Sequence, residues 1–385
     1  MPEKPFTVET LLSLPRLSGL ALSKDGARLV ASVARPDAEG KKLVSALYEL
    51  DIEGEDVPRR LTRSAPGESG AAFAPDGSLL FISERPDPDA KPDDPRAEAT
   101  ALWVLPAGGG ESRLVAGPPG GVEAVAVARE GGSVVFAART HLGTENWEED
   151  AEREKARKDA AVSAQLFEEY PIRFWDHYLG PRERHLQLIP APEGESRADS
   201  SKDLIPFPGR SLELAGFGIT PDGSTVLTGR WSDTDDVLER DLNLVAIDVD
   251  SGKQRTLADD RAWYESPACS PDGRYAVAIR DGKSTPEEMS DNTLYLFDLT
   301  TGESKDLLAG FDRWPQGPAW SHASGTVFFT ADDDGHVPVF GIEIANDEVR
   351  RLTGKERSAT SVLPPMGGHS TRSVPVSRSH RTRSL

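Results

Sequence analysis

One cysteine, three methionines and no apolar run long enough to span a bilayer leave this 385-residue chain few ways to be stapled or anchored. The lone Cys269 has no partner for an internal disulfide, which fits a reducing compartment. Within Ser266-Pro267-Ala268-Cys269-Ser270 it reads as a small buried apolar residue. The opening Met1-Pro2-Glu3-Lys4-Pro5 lacks the basic stretch and apolar core of a secretory leader, so a soluble cytoplasmic protein is expected. Basic charge is also scarce. Lys and Arg number 44 against 64 Asp and Glu, a net −20 that repels phosphate backbones and anionic headgroups. Neither a nucleic-acid nor a membrane partner is expected.

Reactive constellations are missing as well. There is no Gly-x-Ser-x-Gly nucleophile elbow, no Walker loop, no dinucleotide fingerprint and no His/Cys cluster at metal spacing. No catalytic residue, cofactor or metal is therefore expected. Gly108-Gly109-Gly110 reads as a hairpin turn rather than a phosphate cradle. Asp332-Asp333-Asp334-Gly335-His336 lacks the alternating ligands and closing Glu of a calcium loop, and reads as a solvated strand connection. Ser232-Asp233-Thr234-Asp235-Asp236 is read the same way.

What the chain has is a repeated turn. It stands as Ser23-Lys24-Asp25-Gly26, Ala74-Pro75-Asp76-Gly77, Thr220-Pro221-Asp222-Gly223 and Ser270-Pro271-Asp272-Gly273, with weaker echoes at Ala128-Arg129-Glu130-Gly131 and Ser321-His322-Ala323-Ser324-Gly325. Pro pre-sets φ, Asp bonds its own backbone and Gly accepts the left-handed conformation. A short alternating run enters each turn and another leaves it, such as Tyr275-Ala276-Val277-Ala278-Ile279. A third run rich in Leu and aromatics follows, such as Leu294-Tyr295-Leu296-Phe297-Asp298, and a shorter polar one closes the unit, such as Arg350-Arg351-Leu352-Thr353. Period-two alternation bounded by Gly and Asp predicts half-buried strands.

Four strands per unit, the outermost most polar, predict an all-β fold: a β-propeller of four-stranded antiparallel blades. Six blades are recognisable, at roughly 18–62, 70–115, 122–207, 213–257, 265–308 and 317–354. A β-solenoid or large sandwich is the alternative, and fits the four-strand rhythm less well. Thr7-Val8-Glu9-Thr10-Leu11-Leu12 is expected to pack on the first blade as a short helix or strand.

Two insertions interrupt the rhythm. Residues 86–98 are acidic and proline-rich and are expected to be mobile. Residues 145–182 separate the second and third strands of the third blade. Their first half, Glu148 through Glu169, is charged and helix-favouring, and carries Ala161, Val162, Leu166 and Phe167 near its end. The second half, Tyr170-Pro171-Ile172-Arg173-Phe174-Trp175-Asp176-His177-Tyr178, is densely aromatic. His177 and His185 flank this region without a neighbouring Ser or Cys to make a nucleophile pair.

From Arg357 onward Asp and Glu disappear and Ser, Arg, Thr and His take over. Ser358-Ala359-Thr360-Ser361-Val362 looks like the first strand of an incomplete seventh blade, but its turn is missing. The nucleotides behind Pro364 to Ser373, read two bases later, permit Pro-Asp-Gly-Arg-Thr-Leu-Tyr-Ala-Leu, a turn and strand in the idiom of the repeat. A frameshift near Val362 that truncates a longer protein is expected, with 363–385 an aberrant tail. A disordered basic tail is the alternative.

The Thr7–Leu12 lead-in, the Pro-Asp-Gly blades and Ile172-Arg173-Phe174-Trp175-Asp176-His177-Tyr178 resemble the N-terminal propeller of prolyl oligopeptidase-family serine peptidases. Within that family the likeness is to the bacterial dipeptidyl aminopeptidase / acylaminoacyl peptidase branch, and it covers about 1–362. The resemblance implies a propeller that gates and binds peptide substrates above a C-terminal α/β-hydrolase domain, which this chain lacks. It thus implies no activity from this chain alone. It also implies that an acidic pair near the end of the insertion, here Glu168 and Glu169, binds a substrate's amino terminus. A solvated helix face, shared with Glu148, Glu149, Glu152 and Glu154, is the alternative. Arg173 is a candidate for a substrate carbonyl or carboxylate, or for an ion pair with Asp176. Two further readings stay open: a stand-alone propeller scaffold for protein partners, and, ranked last, a metal-dependent propeller enzyme. An incomplete ring is expected to bare apolar surface on its first and sixth blades and to self-associate.

Overall fold

In three of the four repeated turns a leading serine or threonine and the aspartate hold the turn shut in the same way. In a computed structural model of the chain, the Ser23, Thr220 and Ser270 hydroxyls donate to Asp25, Asp222 and Asp272 at 2.6, 2.6 and 2.5 Å. Gly26, Gly77, Gly223 and Gly273 all sit at positive φ, between 72° and 83°, where a Cβ would be strained. The structure describes residues 6–54, 56–87, 99–167, 171–174, 177–234, 240–287 and 289–354.

Between the turns the described residues form six four-stranded antiparallel units in chain order. Unit 1 runs from Arg16–Leu22 to Arg59–Arg60, and unit 2 from Glu68–Phe73 to Arg113–Ala116. Unit 3 pairs Val122–Val127, Val134–His141, Arg182–Ile189 and Lys202–Asp203. Unit 4 pairs Phe217–Ile219, Thr225–Trp231, Leu242–Asp248 and Gln254–Ala258. Unit 5 runs from Ala262–Cys269 to Ser304–Asp306 and unit 6 from Pro315–Trp320 to Glu348–Arg351. Units 4 and 5 meet at a single parallel pair, Leu242 with Trp263.

The core is divided, one portion to each junction. Val30 and Leu47 of unit 1 pack with Phe81 and Trp103 of unit 2. Leu80 and Leu102 of unit 2 meet Val134 and Phe136 of unit 3. Val135 and Leu186 of unit 3 meet Val226 and Ile247 of unit 4. Leu227 and Leu244 meet Tyr264 and Phe297, and Val277 and Leu296 meet Phe329 and Phe340. Each sheet of units 2 to 5 thus buries both faces against its neighbours in sequence, which is how blades stack. This bears out the all-β propeller reading. Cys269 lies in the junction of units 4 and 5, and enclosure of its thiol pushes it up to about 12, so it is a poor nucleophile.

The seam between the last and first units differs. Among the described residues no core cluster joins unit 6 to unit 1. Leu17, Leu43 and Val57 of unit 1 are exposed, whereas unit 6 exposes Trp314 at its entry. The lead-in is helix α1 (Val8–Ser13), capped by the Thr7 hydroxyl, with no buried side chain. As expected, it lies against unit 1, beside the strand Leu29–Pro36. The proposed start of a seventh blade at Ser358–Val362, the tail 363–385 and residues 88–98 of the first insertion lie outside the described residues.

The helical insertion in the third unit is shorter than its charge pattern predicts. Helix α2 spans Trp147–Asp159, with Asn146 accepting the Glu149 N–H at 2.9 Å. Glu148, Glu149 and Asp150 face its positive end, and Arg157 and Lys158 its negative end. It stops because Ala161 turns left-handed at φ 50°, after which Val162 and Leu166 stand exposed rather than packed. A two-stranded hairpin, Arg173–Phe174 with His177–Tyr178, then leads back into unit 3. Among the described residues no helix is long and apolar enough to cross a membrane.

Candidate functional site

The insertion is fastened to unit 3 by buried polar groups. Asp150 accepts the His141 backbone N–H at 2.7 Å and the Arg182 guanidinium at 2.9 Å. Glu154 bonds the buried His141 ring at 3.0 Å; burial raises its carboxyl, but this hydrogen bond and the Arg182 charge outweigh it and hold the carboxyl below the ordinary range. Arg210 donates to the Gly180 and Arg182 carbonyls, which fixes the return of the insertion against the start of unit 4. Behind it Arg139 binds Glu123 at 2.6 Å and Glu213 at 2.8 Å, and Arg184 binds Glu123 at 3.0 Å. These are braces. Their donors and acceptors are spent on one another.

Beside the braces lies a cavity of about 660 Å³, where the ends of units 3 and 4 meet. Leu142 and Glu183 come from unit 3, Phe207 to Gly209 from the connection, and Arg230 to Thr234 and Arg240 from unit 4. Trp231 stacks edge-on against Trp263, whose indole donates to the Arg240 carbonyl at 3.4 Å. That fixes the backbone under Arg240. Phe207 stands exposed in the wall.

The charges in this cavity are unevenly satisfied. Among the described residues neither the Arg230 nor the Arg240 side chain makes a hydrogen bond or ion pair. Burial lowers the Arg230 guanidinium from its ordinary value, offset in part by the nearby Asp233 charge. Asp233 itself is exposed, and Glu183 is buried and partnered. The Trp231 indole N–H has no acceptor among the described residues. Cationic donors with an aromatic wall suit an extended, partly apolar ligand that brings acceptor oxygens.

The residues singled out from sequence fare differently. Glu168 and Glu169 lie outside the described residues, as do Asp176, Asp235 and Asp236. Arg173 is exposed on the insertion hairpin and is not among the cavity's lining residues. Asp233, read as part of a solvated connection, stands in the cavity wall. Asp333 is likewise more than solvated. It binds Arg313 at 2.8 Å and also Arg351, tying the entry of unit 6 to its last strand. His185 is buried and bonds Asp203 at 2.6 Å inside unit 3. Among the described residues no group of three or more His, Cys, Asp or Glu is placed to hold a metal ion. Arg230 and Arg240 went unnoticed in the sequence. The one signal was Gly229-Arg230-Trp231, an arginine beside a tryptophan at a strand end.

One carboxyl pair elsewhere titrates abnormally. Glu265 and Asp281 sit half-buried in unit 5, and burial followed by mutual repulsion raises Glu265 above its ordinary value. A raised folded-state value means the native state holds the proton longer. Stability contributed here is present at acid pH and lost as pH rises from the ordinary carboxylate range. Glu265→Gln is therefore expected to match the parent's melting temperature in acid and exceed it near neutrality. A constant difference across a pH series of melts would refute this.

The fold is that of a β-propeller, with a cavity where its third and fourth units meet. No family model matches the chain. It is 24% identical over 362 residues to dipeptidyl-peptidase 5 of Porphyromonas endodontalis, covering 90% of this chain and 49% of that protein. The chain thus spans about half the length of the curated relatives it matches. Among solved structures it is similar to Pyrococcus horikoshii acylaminoacyl peptidase, with TM-score 0.62 and 14% identity over 90% of this chain and 47% of that one. The β-propeller domain of the trilobed protease from Pyrococcus furiosus matches at TM-score 0.55 and 12% identity, over 88% and 83%. These findings bear out the resemblance to an N-terminal peptidase propeller.

Proposed function

We propose that this chain is the gating and substrate-binding propeller of a cytoplasmic serine peptidase acting on dipeptidyl or acylaminoacyl peptides, and is inactive without a hydrolase domain. The observation that carries this is the likeness to dipeptidyl-peptidase 5 over nine-tenths of the chain, in a sequence without a Gly-x-Ser-x-Gly elbow. The insertion and the cavity beside it supply a peptide-sized surface on one end of units 3 and 4. Uncovered apolar side chains on unit 1 and α1 support an uncompleted contact there, to be filled by a hydrolase domain or a second copy.

The chain of 1–385 is expected to leave dipeptidyl and acylaminoacyl chromogenic substrates intact. The gene with its frame restored past Val362 is expected to hydrolyse them and to be blocked by a serine-reactive phosphonate. Light scattering on 1–385 should show association that the restored protein lacks. An open frame with no hydrolase domain downstream would overturn the peptidase reading.

A further inference from the structure

The arginines at the strand ends allow one unit to be compared with the next. Arg280 in unit 5 and Arg230 in unit 4 stand at the same distance past Tyr275 and Thr225, the residues whose carbonyls close the two turns. Arg280 is neutralised by Asp260 at 2.8 Å. At the same end of the second strand, Arg139 of unit 3 has Glu123 and Glu213. Just past that strand in unit 2, Arg85 has Glu68 at 2.6 Å. Arg35 of unit 1 lies over the Tyr48 ring. Arg230 alone of these five is left, among the described residues, with neither a carboxylate nor a ring. It is also the one that lines the cavity, together with the equally unpaired Arg240.

A half-buried guanidinium without a counter-charge is costly, and the equivalent arginine of unit 5 is neutralised by Asp260, so Arg230 is suited to meet an anion from outside the chain. Arg presents a planar fork matched to a carboxylate. Phe207 and Trp231 give apolar surface beside the charges, which suits a peptide better than a bare ion. The carboxylates already in the wall do not fill the place. Asp233 acts on Arg230 only at a distance, and Glu183 comes within ion-pair reach of neither arginine.

We infer that Arg230 and Arg240 form a carboxylate-binding site that anchors peptides by an acidic side chain or a free C-terminus. This deepens the proposed function and rests on it for the word peptide, though not for the word carboxylate.

The test uses the chain 1–385 and four ligands: a short acetylated neutral peptide with a free C-terminus, its amide, an amide carrying one internal Glu, and succinate. Binding is read by calorimetry or Trp fluorescence. At least one carboxylate-bearing peptide should bind better than the neutral amide, and which one does identifies the source of the anion. Arg230→Gln and Arg240→Gln should each weaken that binding about 10- to 100-fold while leaving the amide unchanged. Arg280→Gln, whose partner is internal, should not alter affinity.

Thermal melts keep the result interpretable. Removing an unpaired guanidinium should leave the melting temperature of Arg230→Gln unchanged or raised. A lowered melting temperature with unaltered affinity would show that Arg230 serves a carboxylate of its own chain, and would overturn the inference. Equal binding of acid and amide peptides would do the same. If succinate and the acidic peptides bind equally, the carboxylate site stands and the peptide reading fails.

Discussion

Trp147→Ala is expected to destabilise the protein by about 3–5 kcal/mol, the ordinary cost of emptying a large aromatic site. Trp147 opens helix α2, is 6% exposed, and packs its ring 6.5 Å from that of Phe136 in the junction of units 2 and 3. Its indole donates to Gln187 Oε1 at 2.9 Å, and Gln187 donates onward to Thr140. Truncation therefore leaves a cavity and removes one donor from a buried relay. Trp147→Phe separates the two effects, since it keeps most of the ring and loses only the hydrogen bond, at about 1 kcal/mol. Denaturant midpoints measure both. Amide exchange across Trp147–Asp159 should rise in the alanine variant, because Trp147 and Asp150 are the buried residues of that helix. A loss below about 1 kcal/mol for the alanine variant would show that the helix is held by the Asp150 and Glu154 ion pairs instead.

Gly120→Ala should be worse. A Cβ built on Gly120 would lie 1.7 Å from the Arg139 carbonyl oxygen and 2.6 Å from its carbon. The obstacle is backbone in the second strand of unit 3, paired with Arg184 across the sheet, so no side chain can rotate away. Relief requires the link between units 2 and 3 to withdraw, which would pull on Glu123, the Arg139 partner three residues further on. We expect a loss of more than about 3 kcal/mol, read as failure to accumulate folded protein or a collapse of the thermal midpoint. Gly109→Ala is the comparison. It lies at φ 82° with nothing within 4 Å, and should cost only about 1 kcal/mol in backbone strain. Similar losses for both would mean that close approach at Gly120 is not what matters.

Both variants act where units 2 and 3 meet, on the other side of unit 3 from unit 4. A weakened Trp147 relay would loosen the insertion without touching Arg230 or Arg240. Carboxylate affinity measured on Trp147→Phe would then report whether the insertion orders the site or merely stands beside it.

Much of the fold was legible in the chain because the signals that specify it are local. Asp bonding its own turn and Gly taking positive φ act over four residues, so each Pro-Asp-Gly fixes a hairpin without reference to the rest. Alternation in runs such as Tyr275–Ile279 then states which face is buried. The end of helix α2 was less legible. Glu148 through Glu169 is uniformly helix-favouring, and the halt at Ala161 depends on where the hairpin must rejoin unit 3.

The sequence by itself determined the unit, its repetition and the place of the insertion, since turn chemistry and period-two alternation are carried by adjacent residues. Only the tertiary structure decided which charged groups are spent and which remain. Glu154, Asp150 and Asp333 look like ordinary surface acids in the chain, yet each is occupied by a partner brought from another segment. Arg230 looks like Arg280, and differs because among the described residues no carboxylate forms an ion pair with it. The lack of a partner is a property of three-dimensional neighbours, and no local pattern encodes it.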